Sequence, residues 1–201
     1  MYSYFAYLNV YFMNLFTSTM VYTYCYSFEN DCKQTFAPNI KKKPNKFMKG
    51  IQDYYPDHFA HCYGCGRLNK QGLQLKTNWD GDETLTLYTP QTHHTAIEGF
   101  VYGGLLASLI DCHGTGSASL AFARKDGIDV SEHNAPRCVT ASLKVDYLKP
   151  TPIDGTITVT GTIKELKGRK AIIEAFLSVN GEICVKGEII AIRISDDFGK
   201  K

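Results

Sequence analysis

The chain from about residue 70 onward alternates between two hydrophobic rhythms. Leu73–Asn78 (LQLKTN) and Glu83–Tyr88 (ETLTLY) repeat with period two around Trp79-Asp80-Gly81-Asp82. The Asp-Gly pair signals a tight turn, so the stretch predicts a β-hairpin. From Gly103 to about Arg124 the rhythm changes: Leu105, Leu106, Leu109 and Ile110 recur at helical spacing. The second half of that helix, GTGSASLAFA, is nearly all small residues and predicts neighbours packed very close to it. Lys125–Pro136 is polar and predicts a loop. Cys138–Leu148, Thr156–Leu166, Lys170–Asn180 and Glu182–Ile194 return to period two and are rich in β-branched residues. KGRK (Lys167–Lys170) and Asn180-Gly181 supply the turns, so the last three strands predict an antiparallel meander. Two strands, one long helix and four strands give an α+β plan, in which a six-stranded antiparallel sheet buries a single helix.

Composition separates the first 47 residues from this body. Seven of the thirteen tyrosines fall in the first 30 positions, which hold no Lys or Arg. A secretory signal needs a basic start, and the first lysine is Lys33. A membrane span needs ~18 or more mainly apolar residues, and Asn9, Asn14 and Thr17-Ser18-Thr19 interrupt this run. Lys41–Lys46 (KKKPNK) reads as a solvated linker or a surface-binding patch. Residues 1–47 are therefore expected to be an extension, or a stretch upstream of a natural start at Met48, with the working domain at 48–201. The 201 residues carry a formal charge of +2, which gives no case for nucleic-acid binding. Seven scattered cysteines suggest a reducing compartment, and a cytoplasmic location, rather than a disulfide framework.

Candidate chemistry centres on Asp111, a carboxylate among leucines and isoleucines two turns into the helix. Such a group is neutralised, hydrogen-bonded or used, because an unpaired buried charge is costly. Thr140, Ser142 and His113 are the candidate structural partners. His113 lies two residues on, about 200° around the helix, so packing or polar satisfaction suits it better than a second catalytic role. Gly103-Gly104 at the helix start costs on the order of 1 kcal/mol per residue relative to Ala. In return it frees backbone N–H groups for a close-approaching anion. Cys62 and Cys65 form a C-x-x-C pair, but a structural zinc usually takes four ligands and no second such pair exists; His58 or His61 are the supplementary candidates. A turn leading into the first strand is favoured, and no metal is assigned. His93-His94 also resembles a metal pair, yet adjacent residues on an extended chain point oppositely.

Four stretches carry a family resemblance. His61–Leu75 (HCYGCGRLNKQGLQL), Gly99–Asp111 (GFVYGGLLASLID), Val139–Pro150 (VTASLKVDYLKP) and the final meander together resemble the PaaI-like hotdog-fold acyl-CoA thioesterases, the group that includes the mammalian thioesterase-superfamily members. The resemblance covers about residues 58–194 and is carried by the order and spacing of the motifs. It implies a hotdog fold, a homodimer or dimer of dimers, and hydrolysis of an acyl-CoA to a free acid and CoA with no cofactor. Carried over by position, Asp111 is the catalytic acid, Gly104 the donor to the thioester oxygen, and Thr140 the residue that aligns the nucleophile. Tyr102 stands where the family usually has histidine, beside Gly103, and His94 falls near the substrate entrance. Lys149 and Arg169, with Lys144, Lys167 and Lys170, are candidates for the CoA phosphates.

Helix geometry adds a constraint to this reading. Gly104 and Asp111 share a face but are separated by ~10.5 Å along the axis, so one carbonyl carbon does not easily meet both in a single chain. Two antiparallel helices would bring Gly104 of one chain beside Asp111 of the other. Asp111 can act as general base or as nucleophile, and the residues do not separate the two. The competing functions are a non-catalytic acyl-CoA-binding or sensing domain and a hotdog hydratase or dehydratase. The first predicts a degraded site, whereas Asp111, Gly104 and Thr140 are all present. The second needs an acid–base set that the sequence does not display.

Overall fold

The computed structural model describes residues 49–131, 134–195 and 197–199. The extension expected at 1–47, and Met48 itself, lie outside the described residues. The strands are β1 (Thr77–Asp80), β2 (Glu83–Tyr88), β3 (Thr95–Ile97), β4 (Phe100–Val101), β5 (Cys138–Tyr147), β6 (Ile157–Lys167), β7 (Lys170–Val179) and β8 (Glu182–Arg193). One helix, α1 (Gly103–Lys125), separates β4 from β5. Six strands form one antiparallel sheet in the order β1-β2-β6-β7-β8-β5, and β3 pairs with β4 alone. The expected α+β arrangement of one helix against a six-stranded sheet is what the chain adopts.

The alternation of β7 shows why the sheet holds the helix. Ala171, Ile173, Ala175, Leu177 and Val179 all turn inward while their neighbours are half-buried. They join Val185 and Ile189 of β8 against Leu105, Leu109, Ile110 and Phe122 of α1 in one apolar cluster. Each of the Val, Leu, Ile and Phe side chains among them contributes ~1.5–3 kcal/mol when fully buried. The small residues of the helix have the expected meaning. A Cβ on Gly114 would lie 2.5 Å from Cγ1 of Ile189, so β8 packs directly on the helix backbone there.

Three expectations need correction. The first strand starts at Thr77 rather than Leu73, because Gln74 adopts a left-handed φ of 56° that no strand accommodates. Its side-chain amide instead donates to the carbonyls of Gly66 (2.6 Å) and Asn69 (2.5 Å), pinning the preceding loop. The hairpin turn is only Gly81-Asp82, with Asp80 paired to Glu83 and Gly81 at φ 65°. Trp79 is a strand residue, and the Arg124 guanidinium stacks 3.5 Å from its ring centre. The short pair β3–β4 and the 3-10 turn at Thr92–His94 have no counterpart in the expected elements.

The segment before β1 belongs to the body. Ile51, Gln52 and Tyr55 are buried, and the Tyr55 hydroxyl donates to Ser119 Oγ on the helix at 3.1 Å. At the other margin, β5 pairs only with β8 among the described residues, so its second edge is open. No helix among the described residues is long and apolar enough to cross a membrane.

Candidate active site

Asp111 does not sit on the buried face of α1. Gly103, Gly104, Ala107, Ser108 and Asp111 are the partly exposed positions of the helix from its start to Asp111, one stripe at helical spacing. The adjacent Ile110 and Cys112 are only 0% and 4% exposed. The carboxylate is thus half-buried, and Thr140 Oγ1 donates to its Oδ1 at 2.5 Å. Of the three structural partners considered for it, only Thr140 engages. The strand arranges this locally. Thr140 pairs with Ala191 and Ser142 with Ile190, so Ala141 is an extra residue, and this β-bulge sets the facing of Thr140.

The helix start carries no side-chain cap. Tyr102 is the N-cap, and its carbonyl accepts the amides of Leu105 (3.0 Å) and Leu106 (3.3 Å). The N–H groups of Gly103 and Gly104, the first two of the helix, have no intrahelical acceptor. A Cβ on Gly104 would lie 2.4 Å from the Tyr102 ring, so that ring lies across the glycine. The Tyr147 hydroxyl at the end of β5 donates to the Gly103 carbonyl at 2.9 Å, a contact that sequence reasoning missed. Beside this helix start lies a groove of about 500 Å³ lined by Ile97, Phe100, Val101, Leu106, Tyr147 and Leu148, among others. Its walls are mainly apolar, and Ile97 is 73% exposed.

His94 belongs to the same end of the molecule. Its carbonyl accepts the Tyr102 N–H at 2.8 Å, tying the 3-10 turn to the helix entry. Its Nδ1 accepts the Gln91 amide at 3.0 Å, which leaves Nε2 as the protonated nitrogen of the neutral ring. Partial burial, and then the neighbouring His93, lower its pKa. Lys149 lines the groove and forms an ion pair with Glu182, whose carboxylate raises its pKa. Arg169 lies elsewhere: its Nε donates to the Arg193 carbonyl at 2.8 Å. Lys149 hydrogen-bonds at Cys184 near one end of β8 and Arg169 at the other, so a single chain does not bring these two cations together. Of the other cations considered for phosphate, Lys144 pairs with Asp146 and Lys170 with Glu165.

His113 is buried and satisfied. Thr86 Oγ1 lies 2.9 Å from its Nδ1 and Thr84 Oγ1 3.2 Å from its Nε2, while Thr84 also donates to the Gly161 carbonyl. Burial pushes its pKa down to about 3, so the ring is neutral at ordinary pH. The C-x-x-C pair forms the expected turn, and a third cysteine lies against it. Cys112, the residue after Asp111, brings its sulfur to Cys62 and Cys65, and the three Sγ atoms lie within 4.8 Å of one another. Neither His58 nor His61 is part of that group.

Known proteins fit this arrangement. The profile of the thioesterase superfamily matches residues 98–182. A crystallographically solved thioesterase superfamily protein of Shewanella loihica is 42% identical, over 69% of this chain and 98% of that one, with a TM-score of 0.53. Acyl-coenzyme A thioesterase THEM4 of Rattus norvegicus is 27% identical over 174 residues, 81% of this chain and 70% of that protein. The Mus musculus protein of the same name is 26% identical over 114 residues, 57% of this chain and 44% of that protein. The chain thus matches less than half of the mouse relative's length. With the one-helix, six-strand architecture and the Shewanella relative matched along nearly its whole length, the chain belongs to the thioesterase superfamily and has its hotdog fold.

Proposed function

We propose that this chain hydrolyses an acyl-CoA thioester to a carboxylic acid and CoA. The observation that carries the proposal is the Thr140–Asp111 hydrogen bond on the same helix stripe as the uncapped Gly103-Gly104 start. Thr140 holds the carboxylate in one orientation, and the Gly104 N–H receives the negative charge that develops on the thioester oxygen. As general base, Asp111 takes a proton from water while the water oxygen attacks the carbonyl carbon. The tetrahedral oxyanion then collapses, the C–S bond breaks and CoA leaves as a thiolate. As nucleophile, Asp111 instead forms an acyl anhydride that water cleaves in a second step. The apolar groove beside the helix start takes the acyl chain, with Tyr102, Gly103 and His94 at its entrance.

Each site is shared between two subunits, in a dimer or dimer of dimers. The ~10.5 Å between Gly104 and Asp111 along one helix supports this, as do the open edge of β5 and the exposed Leu143 and Tyr147 on that strand. Lys149 and Arg169, apart in one chain, would then reach the CoA phosphates from different subunits. The five described cysteines are all free thiols, which fits a reducing compartment such as the cytoplasm. The test is a screen of short, medium, long and aryl acyl-CoAs with a thiol-detecting reagent, run on wild type and Asp111→Asn. At least one substrate should release CoA, and the variant should lose ~100-fold or more in kcat while staying folded. Acyl-CoA binding without release in the wild type would make the chain a binding domain. Equal rates in the two proteins would remove Asp111 from the mechanism.

A further inference from the structure

The loop bearing Cys62 and Cys65 is fitted to the helix through sulfur. Cys62 Sγ and Cys112 Sγ lie 3.8 Å apart, too far for a disulfide bond, which is ~2.05 Å. Yet that separation matches the edge of a tetrahedron of thiolates around Zn²⁺, where a metal–sulfur distance of ~2.3 Å gives a sulfur–sulfur edge of ~3.8 Å. Cys65 is within 4.8 Å of both, so less than about 1 Å of movement would complete a three-sulfur face. The loop shape suits that use. Cys62 and Cys65 have C-x-x-C spacing, and the Gly66 amide donates to the Cys62 carbonyl at 2.8 Å. A Cβ on Gly64 would lie 2.2 Å from Cys112 Sγ, so only glycine allows the loop this close to the helix.

A second observation is independent of the sulfurs. Arg137 is half-buried, its Nη1 is buried without a hydrogen-bond partner, and among the described residues no carboxylate pairs with it. Its guanidinium stacks 4.6 Å from the Tyr55 ring centre and lies within electrostatic reach of Cys62, Cys65 and Cys112. A guanidinium nitrogen buried without an acceptor is costly. Three thiolates around a divalent ion leave one net negative charge, which would supply the missing counter-ion.

We propose that Cys62, Cys65 and Cys112 form a binding site for a thiophilic d¹⁰ cation, Zn²⁺ in the first instance, with Arg137 balancing its charge. Thiolates select such ions over hard cations. Water fills the fourth position, and Cys62 is the half-buried member of the three. Binding displaces the three thiol protons to solvent.

The experiment uses the full chain carrying Cys25→Ser and Cys32→Ser, reduced, metal-stripped and titrated anaerobically with Co²⁺. The expected result is one Co²⁺ per chain, with a thiolate-to-cobalt charge-transfer band and strong tetrahedral d–d absorption, both removed by one equivalent of Zn²⁺. Cys62→Ser, at the least buried of the three, should lose about one third or more of the charge-transfer intensity, in proportion to the thiolates lost. Cys184→Ala, outside the cluster, should leave the spectrum unchanged. Arg137→Gln should keep the spectrum but weaken affinity by about tenfold or more. A weak octahedral spectrum in the folded protein would overturn the proposal, as would a tetrahedral one that survives in both Cys62→Ser and Cys112→Ser. Peroxide-driven closure of a Cys62–Cys112 disulfide in a protein that binds no Co²⁺ would also overturn it, leaving the cluster a redox pair.

Discussion

A mixing experiment decides whether one active site draws on two chains. The perturbations are Asp111→Asn, which removes the base or nucleophile, and Gly104→Pro, which removes the backbone donor. Position 104 is the second residue of the helix, so its N–H serves no intrahelical bond and proline there breaks none. The Tyr102 ring lies over Gly104, and being 57% exposed it has room to swing away from the new side chain. Each variant alone should be inactive. Suppose each site takes Gly104 from one subunit and Asp111 from the other. A heterodimer then has one site with both lesions and one with neither. Random reassociation makes about half the dimers mixed, each with one working site of two, so activity should recover to about a quarter of wild type. If both groups act within one chain, every site carries a lesion and recovery is near zero. The assay is thiol release after joint unfolding and refolding, with heterodimer content measured by differently sized tags. Well-populated mixed dimers without activity would refute the shared site. That result would require the ~10.5 Å between the two groups to be bridged within one helix, and the mechanism above would fall with it.

Three further outcomes are expected. His113 has a folded pKa of about 3 against an ordinary 6.5, so the unfolded chain takes up the proton first. Stability should be full above pH 6.5 and fall as pH drops, by ~1.4 kcal/mol per unit, or ~2 kcal/mol at pH 5. Urea unfolding of wild type and His113→Asn at pH 7 and 5 should show that slope in the wild type only. Thr140→Val should lower kcat by ~10-fold with little change in KM or in thermal stability, since it frees the carboxylate without emptying the core; an unchanged kcat would make Thr140 irrelevant to positioning. A chain truncated to begin at Met48 should fold and hydrolyse as well as the full chain, because Ile51, Gln52 and Tyr55 already complete that margin of the core; aggregation or lost activity would assign residues 1–47 to the working unit.

Much of the architecture was readable because burial and periodicity coincide. β7 alternates without interruption, and the helix begins at the glycine pair that the pattern marked. The failures have physical causes of three kinds. Gln74 takes a left-handed conformation that its residue type does not announce, because side-chain bonds to Gly66 and Asn69 compensate. In β2 the alternation points the opposite way from simple hydropathy. Thr84 and Thr86 face inward, and Leu87 is 36% exposed, since the threonines meet His113 and Ser117 of the helix. The third cysteine of the sulfur cluster is 47 residues from its nearest partner in sequence, counting from Cys65 to Cys112, so no local spacing could reveal it. Tyr147 sits inside the quoted strand motif, but its bond to Gly103 depends on where β5 crosses the helix start.

Two polar residues of one helix meet opposite surroundings. His113 is surrounded by Thr84, Thr86 and the closely approaching Gly161, and both ring nitrogens are occupied. Nothing remains on it to hold or pass a proton to a substrate, and burial keeps it neutral. Asp111, two positions earlier and about 200° around the axis, emerges on the partly exposed stripe instead. Its one side-chain hydrogen bond among the described residues, from Thr140, orients the carboxylate and uses one of its several lone pairs. A structural acid in this position would gain from further donors on the same strand, and Ser142 lies two residues away. The bulge at Ala141 breaks the alternation between Thr140 and Ser142, and only Thr140 reaches the carboxylate. Among the described residues the strand therefore holds Asp111 through Thr140 Oγ1 on Oδ1, an arrangement consistent with the proposed base or nucleophile.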